Sequence, residues 1–456
     1  MVIEWTGIIF ILILLVLDLL TISIIDRIKK LNGELKRKLF HITMGLSMLA
    51  LPYIFSSIYS VLVLAVLAII SLLIIKHTKF KNSIGSVLYS VERQSWGEIF
   101  FVISVFVIFY LSRGNKILYN IPILTLTLAD SVAALIGKRY GKNNISYSNE
   151  DTKSIEGSFM FFITAFMITI VNLLLFTNVG RQETLIISII IGFNVALVEM
   201  ISHSGNDNLL IPLTSYAFLA AHINLDVNTL ITSVIIIAIL FLISITANKI
   251  KAFSKMTVAE VLVIGYLMVI LYGVYAIFPP LMVYIASLRF PKRREHEKKI
   301  IYDARIVETN ALVGLVIAGL ASITENKCEL YMLYSLAFSM HLAINSYVRF
   351  KYYLNYSTQS SIMMGFIKGL IFVFIPCIGI QYIMFKQTIE IGMIILSLIL
   401  LAISCIAIMV AKKDVKEEEI SMKNAYLHMK IVAVLSSIML IVECFVNPSL
   451  INFPIL

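Results

Sequence analysis

Long apolar stretches, separated by short polar segments, recur along the whole chain. A helix needs about 20 mostly apolar residues to cross the hydrocarbon core of a bilayer, and many of the stretches reach or approach this length. They lie at roughly 8–25, 40–57, 59–75, 99–111, 121–136, 159–176, 185–202, 209–221, 230–247, 257–288, 309–322, 330–348, 361–385, 391–411 and 426–446. The pattern predicts an all-α fold, a polytopic membrane helical bundle with about 14–16 transmembrane helices.

Composition and charge agree with this fold and add an orientation. Of the 456 residues, 59% are hydrophobic and only 14% are charged, which excludes a water-soluble domain. The first apolar stretch has no basic residue before it and several after it, between 27 and 38, so the positive-inside rule predicts an external N-terminus. Alternate crossings then place the basic loops at 76–98 and 137–158 on the inner face. The net charge of +10 reflects this bias, and we expect no nucleic-acid partner.

The two halves of the chain differ in where their polar residues lie. Residues 1–225 carry nearly all the candidate intramembrane and loop chemistry, whereas residues 226–456 hold longer, cleaner stretches separated by charge clusters such as Lys292–Lys299. Such clusters of mixed sign are usually solvated caps. We therefore predict a catalytic membrane domain at 1–225 and an additional membrane-helical domain of unknown function at 226–456.

The most informative polar segment begins with Asp130, inside an apolar stretch. An ionisable residue within a membrane helix is costly and usually functional, and apolar surroundings leave it uncompensated unless a cation or a donor meets it. Ala133, Gly137 and Gly141 follow at intervals of four, a stripe that helix packing alone explains. Asp130 is therefore the stronger candidate for a site.

The same polar segment ends on residues suited to phosphate. The residues just before the next apolar stretch include Lys153, Ser154, Glu156, Gly157 and Ser158. Free amides at a helix N-terminus with Gly and Ser can bind phosphate oxygens, and a lysine adds a charge-assisted contact. The GxxxxGK[ST] pattern is missing, so this segment is not a P-loop.

Two further segments place charged residues near the predicted inner face. Arg37 and Lys38 stand four and three residues before His41, so in a helix the three would share one face and could hold phosphate. Ordinary anchoring of a basic segment is the alternative. Arg93 and Glu98 lie directly before an apolar stretch, which indicates either an ordered cluster over a site or solvated charges at the interface.

The last polar segment adds two acids and an amide. Glu199 lies within an apolar stretch, and Asp207 and Asn208 follow in a short turn on the predicted inner face. Together with Asp130 they offer enough carboxylate oxygens for Mg²⁺, which favours one or two carboxylates plus substrate phosphate. Asp18, alone in the first apolar stretch, is interpreted as a structural partner.

Taken together, these segments resemble the CTP-dependent polyprenol kinase family, which includes dolichol kinase and phytol kinase and is distantly similar to phosphatidate cytidylyltransferases. The resemblance covers about residues 30–220, and at Ala129 the family often has glycine. Five ordered elements carry it: RKxxH (Arg37, Lys38, His41), RxSxGE (Arg93, Ser95, Gly97, Glu98), DSxAxxxG (Asp130, Ser131, Ala133, Gly137), K[ST]xEG[ST] (Lys153, Ser154, Glu156, Gly157, Ser158) and ExxxxxxxDNxxxP (Glu199, Asp207, Asn208, Pro212).

The resemblance implies phosphoryl transfer from CTP, or another nucleoside triphosphate, to the hydroxyl of a membrane isoprenoid alcohol such as dolichol, phytol or another polyprenol. Asp130 and Asp207 would bind Mg²⁺, and Glu199 would be a further ligand or the base that takes the alcohol proton. The active site would face the cytoplasm. Lys153 and the amides near Gly157 would hold the triphosphate there, and Lys153 would also be a catalytic residue. The rest of the nucleotide site would be Arg37, Lys38, His41, Arg93, Gly137, Ser154, Glu156, Ser158 and Asn208.

Two other functions compete with this interpretation. A cytidylyltransferase would make a CDP-lipid from a phosphorylated lipid, but its usual C-terminal signature is missing from the sequence. A transporter for a lipid or an anion would also bury acids near broken helices. Its polar groups should extend across the membrane midplane, whereas the acids here cluster toward one face.

Overall fold

The computed structural model describes residues 3–77, 96–146, 152–203, 205–249, 255–289, 304–324, 326–387, 390–411 and 422–446. Within these ranges nine helices are long and apolar enough to cross a membrane, and four shorter apolar helices accompany them. The predicted all-α polytopic membrane bundle is therefore confirmed, and the chain is an integral, multi-pass membrane protein. The predicted number of crossings stays a prediction.

The chain divides into two compact units, residues 1–238 and 239–456. The boundary falls inside a single helix, Val227–Lys249. The first unit contains eleven helices and a short antiparallel hairpin within the described ranges. They are α1 (Trp5–Lys29), α2 (Gly33–Met48), α3 (Leu51–Ile54), α4 (Ile58–His77), α5 (Gly97–Ser112), α6 (Lys116–Leu124), α7 (Asp130–Tyr140), β1 (Asn144–Ser146), β2 (Thr152–Ser154), α8 (Ile155–Phe176), α9 (Arg181–Ile201), α10 (Asp207–His222) and α11 (Val227–Lys249).

A π-helical turn brings Asp130 to the start of α7. Residues Thr125–Ala129 form this turn directly after α6, which contains Pro122. Proline removes a backbone donor within a helix, and single π turns are frequent at functional sites. Thr127 in the turn packs so closely against Gly45 of α2 that any side chain at 45 would clash with it. The small residue thus allows α2 to approach the turn that precedes Asp130.

The hairpin and the cap of α8 hold Lys153 in place. Ser146 pairs with Thr152, and Asn144 pairs with Ser154. Ser154 is then the N-cap of α8, and its side chain accepts a hydrogen bond from the Gly157 amide at 3.1 Å. This is the usual role of a serine at a helix N-terminus. The helix begins four residues earlier than the apolar stretch that predicted it at 159.

The second unit has its own core around one buried helix. Nearly every residue of α15 (Lys327–Val348) is buried, and α15 packs against α14 (Ala304–Ile323), α16 (Thr358–Gly369), α18 (Ile391–Ala411) and α19 (Met422–Val446). The Tyr272 ring meets the rings of Tyr331 and Tyr334 edge to face, and these two rings stack on each other, with ring centroids 5.5 to 6.1 Å apart. The charge cluster Lys292–Lys299 lies outside the described residues. The helices of this unit are α12 (Lys255–Tyr272), α13 (Phe278–Arg289), α14 (Ala304–Ile323), α15 (Lys327–Val348), α16 (Thr358–Gly369), α17 (Ile375–Phe385), α18 (Ile391–Ala411) and α19 (Met422–Val446).

Candidate functional site

A cavity of about 1000 Å³ lies in the first unit, with its lining drawn from eight of the helices. This volume is at the upper end of the range for small-molecule sites. Its lining joins segments that are far apart in the sequence and that include most of the predicted site. The predicted residues among them are Arg37, Lys38, His41, Gly97, Glu98, Asp130, Ala133, Gly137, Lys153, Ser154, Gly157, Ser158, Glu199, Asp207 and Asn208.

Asp130 is bound by Lys38. The Lys38 ammonium donates a hydrogen bond to Asp130 Oδ2 at 2.5 Å, and both side chains are almost wholly buried, at 4% and 7% exposure. His41 lies one turn further along α2, with Nε2 3.9 Å from the same carboxylate oxygen and 3.3 Å from the Leu126 carbonyl. The edge of the His41 ring also meets Phe101. The cation that Asp130 requires is therefore supplied by α2.

A second ion-pair group lies on the hairpin side of the cavity. Lys153 Nζ donates to Glu199 Oε1 at 2.6 Å and lies 3.9 Å from Asp207 Oδ2. The Ser158 hydroxyl donates to the other oxygen of Glu199 at 2.9 Å. Both oxygens of Glu199 are thus engaged, and one ammonium lies between two carboxylates.

The surroundings of Lys153 favour its charged form. Burial alone would lower the pKa of the ammonium, but the negative charges of Glu199, Asp207 and Asp130 outweigh it and raise the pKa above its usual value of 10.5. Lys153 therefore carries a full positive charge throughout the physiological pH range. A permanent cation beside the cavity is suited to binding an anion such as a phosphate group.

Other predicted residues make contacts that hold the cavity together. Arg37 donates to Glu34 Oε1 at 2.7 Å across one helical turn. The Asn208 side-chain amide donates to the Gly97 carbonyl at 2.9 Å, which ties the start of α10 to the start of α5. The RxSxGE and DN elements therefore meet in space at Gly97. Arg93 and Ser95 lie outside the described residues, and their predicted roles stay predictions.

The predicted phosphate contacts at Glu156 and Gly157 differ from what the structure contains. Glu156 is not among the residues lining the cavity, and its carboxylate accepts hydrogen bonds from the backbone and side chain of Asn143. The Gly157 amide is already bound by Ser154. A Cβ atom at Gly157 would lie 2.9 Å from the Ala133 carbonyl, so this glycine permits α7 and α8 to touch. Both residues have a structural role that the motif alone did not predict.

The carboxylates suit a magnesium ion that arrives together with phosphate. No group of three potential ligands stands close enough to hold a metal by itself among the residues that the structure describes. Asp130, Glu199 and Asp207 nevertheless line one cavity, and Mg²⁺ commonly uses only one or two carboxylates and takes its other ligands from water and substrate phosphate. The donor set therefore fits such an ion, and the lysines now paired with these acids could turn to the phosphate oxygens.

The apolar part of the lining could not be predicted from the sequence. Beyond the ion pairs, α1, α4 and α5 contribute a wall that includes Leu12, Val16, Ala68, Leu72 and Phe101. In the sequence these residues are indistinguishable from any other apolar positions of a membrane helix. The cavity thus joins a charged end to an apolar end, which suits a ligand with a polar head and a hydrocarbon tail.

The chain resembles two curated kinases. It is 29% identical over 207 residues to a phytol kinase of Synechocystis, an alignment that covers 43% of this chain and 82% of that protein. It is 37% identical over 93 residues to a dolichol kinase of Schizosaccharomyces pombe, covering 20% of this chain and 17% of that protein. The chain is a distant homologue of these two kinases. No family model and no solved structure matches the chain, and neither of the two relatives is a cytidylyltransferase.

Proposed function

We propose that this polyprenol kinase homologue is a lipid-alcohol kinase, which transfers the terminal phosphoryl group of a nucleoside triphosphate, CTP by family resemblance, to an isoprenoid alcohol. The proposal is supported above all by one cavity that contains both lysine-carboxylate ion-pair groups and an apolar wall. The names of the two relatives, a phytol kinase and a dolichol kinase, support the same substrate class.

The two lysines are assigned to the triphosphate. Phosphoryl transfer depends on positioning the reactants and neutralising charge more than on covalent chemistry by the protein. Lys153 keeps its charge. Its ammonium lies 3.9 Å from Asp207 Oδ2, a distance too long for a hydrogen bond, so on this side it can move toward an arriving phosphate. Lys38 can do so if Asp130 takes another cation. Arg37 adds a second kind of cation to the same lining, and the His41 ring lies beside Asp130.

Asp130 and Asp207 are assigned to Mg²⁺, which would neutralise charge on the triphosphate when it is bound. Glu199 has two candidate roles, a further metal ligand or the base. In the transfer itself, the alcohol oxygen forms a bond to the γ-phosphorus while the bond from that phosphorus to the bridging oxygen breaks. The alcohol proton passes to a carboxylate, and the nucleoside diphosphate leaves with the bridging oxygen.

The catalytic part of the chain is proposed to be the first unit, with the charged end of the cavity at the cytoplasmic face. Among the residues that the structure describes, those that line the cavity all lie between 12 and 208. The basic segments that flank this region support the orientation through the positive-inside rule. Nucleoside triphosphates are cytoplasmic, so a cytoplasmic site gives the donor direct access.

The test is product analysis with the full-length protein in lipid nanodiscs. The protein is incubated with Mg²⁺, γ-³²P-labelled CTP and a panel of farnesol, phytol, a long polyprenol, diacylglycerol and the phosphorylated lipid phosphatidate, and the extracted lipids are examined by mass spectrometry. A labelled monophosphate of an isoprenoid alcohol supports the proposal. A CDP-lipid would instead indicate a cytidylyltransferase, and absence of any product with every donor and alcohol would overturn the proposal. Labelled ATP and GTP tested in parallel identify the donor.

A further inference from the structure

The apolar end of the cavity opens sideways between α1 and α4. Val16 on α1 lines the cavity yet is 54% exposed, and Ser71 on α4 also lines the cavity and is exposed. Both helices are candidate spans with little of their surface buried in the protein, 17% and 22% of the most apolar window. Exposed positions in the middle of such helices face lipid. The cavity is therefore in contact with the bilayer interior at this gap.

The α5 wall of the cavity is closed, because Phe101 on α5 is only 2% exposed. A second cavity of about 50 Å³ adjoins the main cavity between α2, α4 and α5 and shares Leu15, Met44 and Ala68 with it. This narrow extension ends at buried side chains, so it can accept only a small part of a hydrocarbon tail.

The cavity is too short to enclose a long lipid alcohol completely. On α4 the lining of the two cavities runs from Ile75 to Val61, which is about 20 Å at 1.5 Å per helical residue. The hydrocarbon core of a bilayer is about 30 Å thick. A polyprenol that extends through the bilayer cannot fit into this length, and the main cavity must also hold the triphosphate.

We infer that the lipid alcohol enters from the bilayer through the gap between α1 and α4, framed by Val16 and Ser71, and keeps the distal part of its tail outside the protein. The inference rests on the proposed kinase function for the identity of the ligand. Only the hydroxyl end and the first part of the tail lie in the cavity, next to Ala68 and Leu72. Tail length beyond that part is therefore not limited by the protein.

The gap can be tested by narrowing it. Ser71→Trp places a bulky side chain at the opening, and Ile70→Trp is the matched control because Ile70 is 49% exposed on the same helix but is not among the cavity-lining residues. With a long polyprenol, Ser71→Trp should lower kcat/KM about tenfold or more, while turnover of the short alcohol geraniol stays within about twofold. Ile70→Trp should leave both alcohols unchanged. An equal loss for both alcohols in Ser71→Trp, or none for the polyprenol, would overturn the inference.

A labelling experiment separates this inference from the kinase proposal. A photoactivatable farnesol analogue in nanodiscs should crosslink to peptides that contain residues 12–16 and 68–75, and unmodified polyprenol should compete with it. Labelling confined to residues 48–65 would place the tail in the narrow extension and contradict the lateral opening. If the opening is labelled but no alcohol is phosphorylated by the wild-type protein, the kinase proposal fails and the binding route stands.

Discussion

Lys38 and Asp130, 92 residues apart in the chain, form an ion pair of 2.5 Å that is almost wholly buried in the first unit. Removing one partner of a buried pair leaves the other charge uncompensated, which typically costs about 3–5 kcal/mol. Asp130 therefore has two separable effects, one on the stability of the fold and one on the proposed transfer. A single substitution changes both at once.

Asp130→Asn is expected to abolish phosphoryl transfer and also to lower the thermal midpoint, because Lys38 is left without a counter-charge. The double variant Lys38→Met, Asp130→Asn removes both charges and should recover most of the midpoint without recovering activity. Thermal unfolding in detergent and γ-label transfer measure the two effects. Transfer within about tenfold of wild type in Asp130→Asn would remove this carboxylate from the mechanism.

Lys153→Met is expected to raise the nucleotide KM, since a lysine on the triphosphate acts in the ground state and the transition state alike. Lys142→Met is the matched control, because Lys142 is exposed and does not line the cavity. Initial rates over a range of CTP concentrations give the comparison. An unchanged KM in Lys153→Met would contradict the assignment of Lys153 to the triphosphate.

The same lysine predicts a dependence of stability on pH. Its folded pKa is raised above 10.5, the usual value, so the folded state binds the proton more tightly than the unfolded state. The stabilisation is fully present below pH 10.5 and is lost as pH rises through the folded pKa. The difference in thermal midpoint between wild type and Lys153→Met should be constant near neutral pH and should shrink only in strongly alkaline buffer. A difference that stays constant up to about pH 12, or that grows as the pH rises, would show that the pKa is not raised.

Glu199 and Asp207 are expected to differ in their response to Mg²⁺. Both oxygens of Glu199 are engaged by Lys153 and Ser158, whereas Asp207 lies 3.9 Å from the ammonium and is more exposed. Asp207→Asn should raise the Mg²⁺ concentration needed for half-maximal transfer. Glu199→Gln should lower kcat with little change in that concentration, as expected of a base. The opposite pattern would make Glu199 the ligand.

Gly157→Ala should reduce stability rather than nucleotide affinity. The added Cβ would lie 2.9 Å from the Ala133 carbonyl and 3.0 Å from Ser154 Oγ, and overpacking of this kind costs about 1–3 kcal/mol. Gly379→Ala is the control, because nothing lies within 4 Å of its added Cβ. A raised nucleotide KM with an unchanged thermal midpoint would restore the original interpretation, in which the Gly157 amide binds phosphate.

The class of fold and most of the polar residues that line the cavity could be predicted from the sequence. Which of these residues contact each other could not. The apolar stretches indicated the helical bundle, and Asp18 has the structural partner expected of it, since Ser47 donates to its carboxylate at 2.8 Å. That Asp130 needs a cation also followed from its apolar surroundings. That this cation is Lys38 did not, because the pair depends on the approach of α2 to the turn before α7, a contact between distant segments.

Two other features were hidden for local reasons. Ser154 caps α8, so the helix includes Ile155 and Glu156, which are less apolar as a segment than the stretch beginning at Phe159. The hairpin at Asn144–Ser146 and Thr152–Ser154 is too short and polar to show the alternation of a strand. The apolar cavity wall could not be told from lipid-facing surface, because hydrocarbon tails and side chains in a bilayer demand the same residue types.

The last prediction concerns the second unit, which we propose is dispensable for the chemical step because every described residue that lines the cavity belongs to the first unit. Lys368 on α16 is the sharpest probe, since its ammonium is buried and donates to the Ala286 carbonyl at 3.2 Å within the second unit. Lys368→Met, in the intact chain, should leave kcat and the nucleotide KM within about twofold of wild type.

Truncation would be a weaker test, because it exposes apolar surface and can unfold the first unit for reasons unrelated to catalysis. Asp130→Asn in the same preparation sets the scale for loss of a catalytic residue, and the thermal midpoint of each variant separates loss of chemistry from loss of fold. If Lys368→Met lowers kcat as severely as Asp130→Asn while its thermal midpoint equals that of wild type, the second unit takes part in the reaction. The proposal that the first unit alone carries the chemistry would then be wrong.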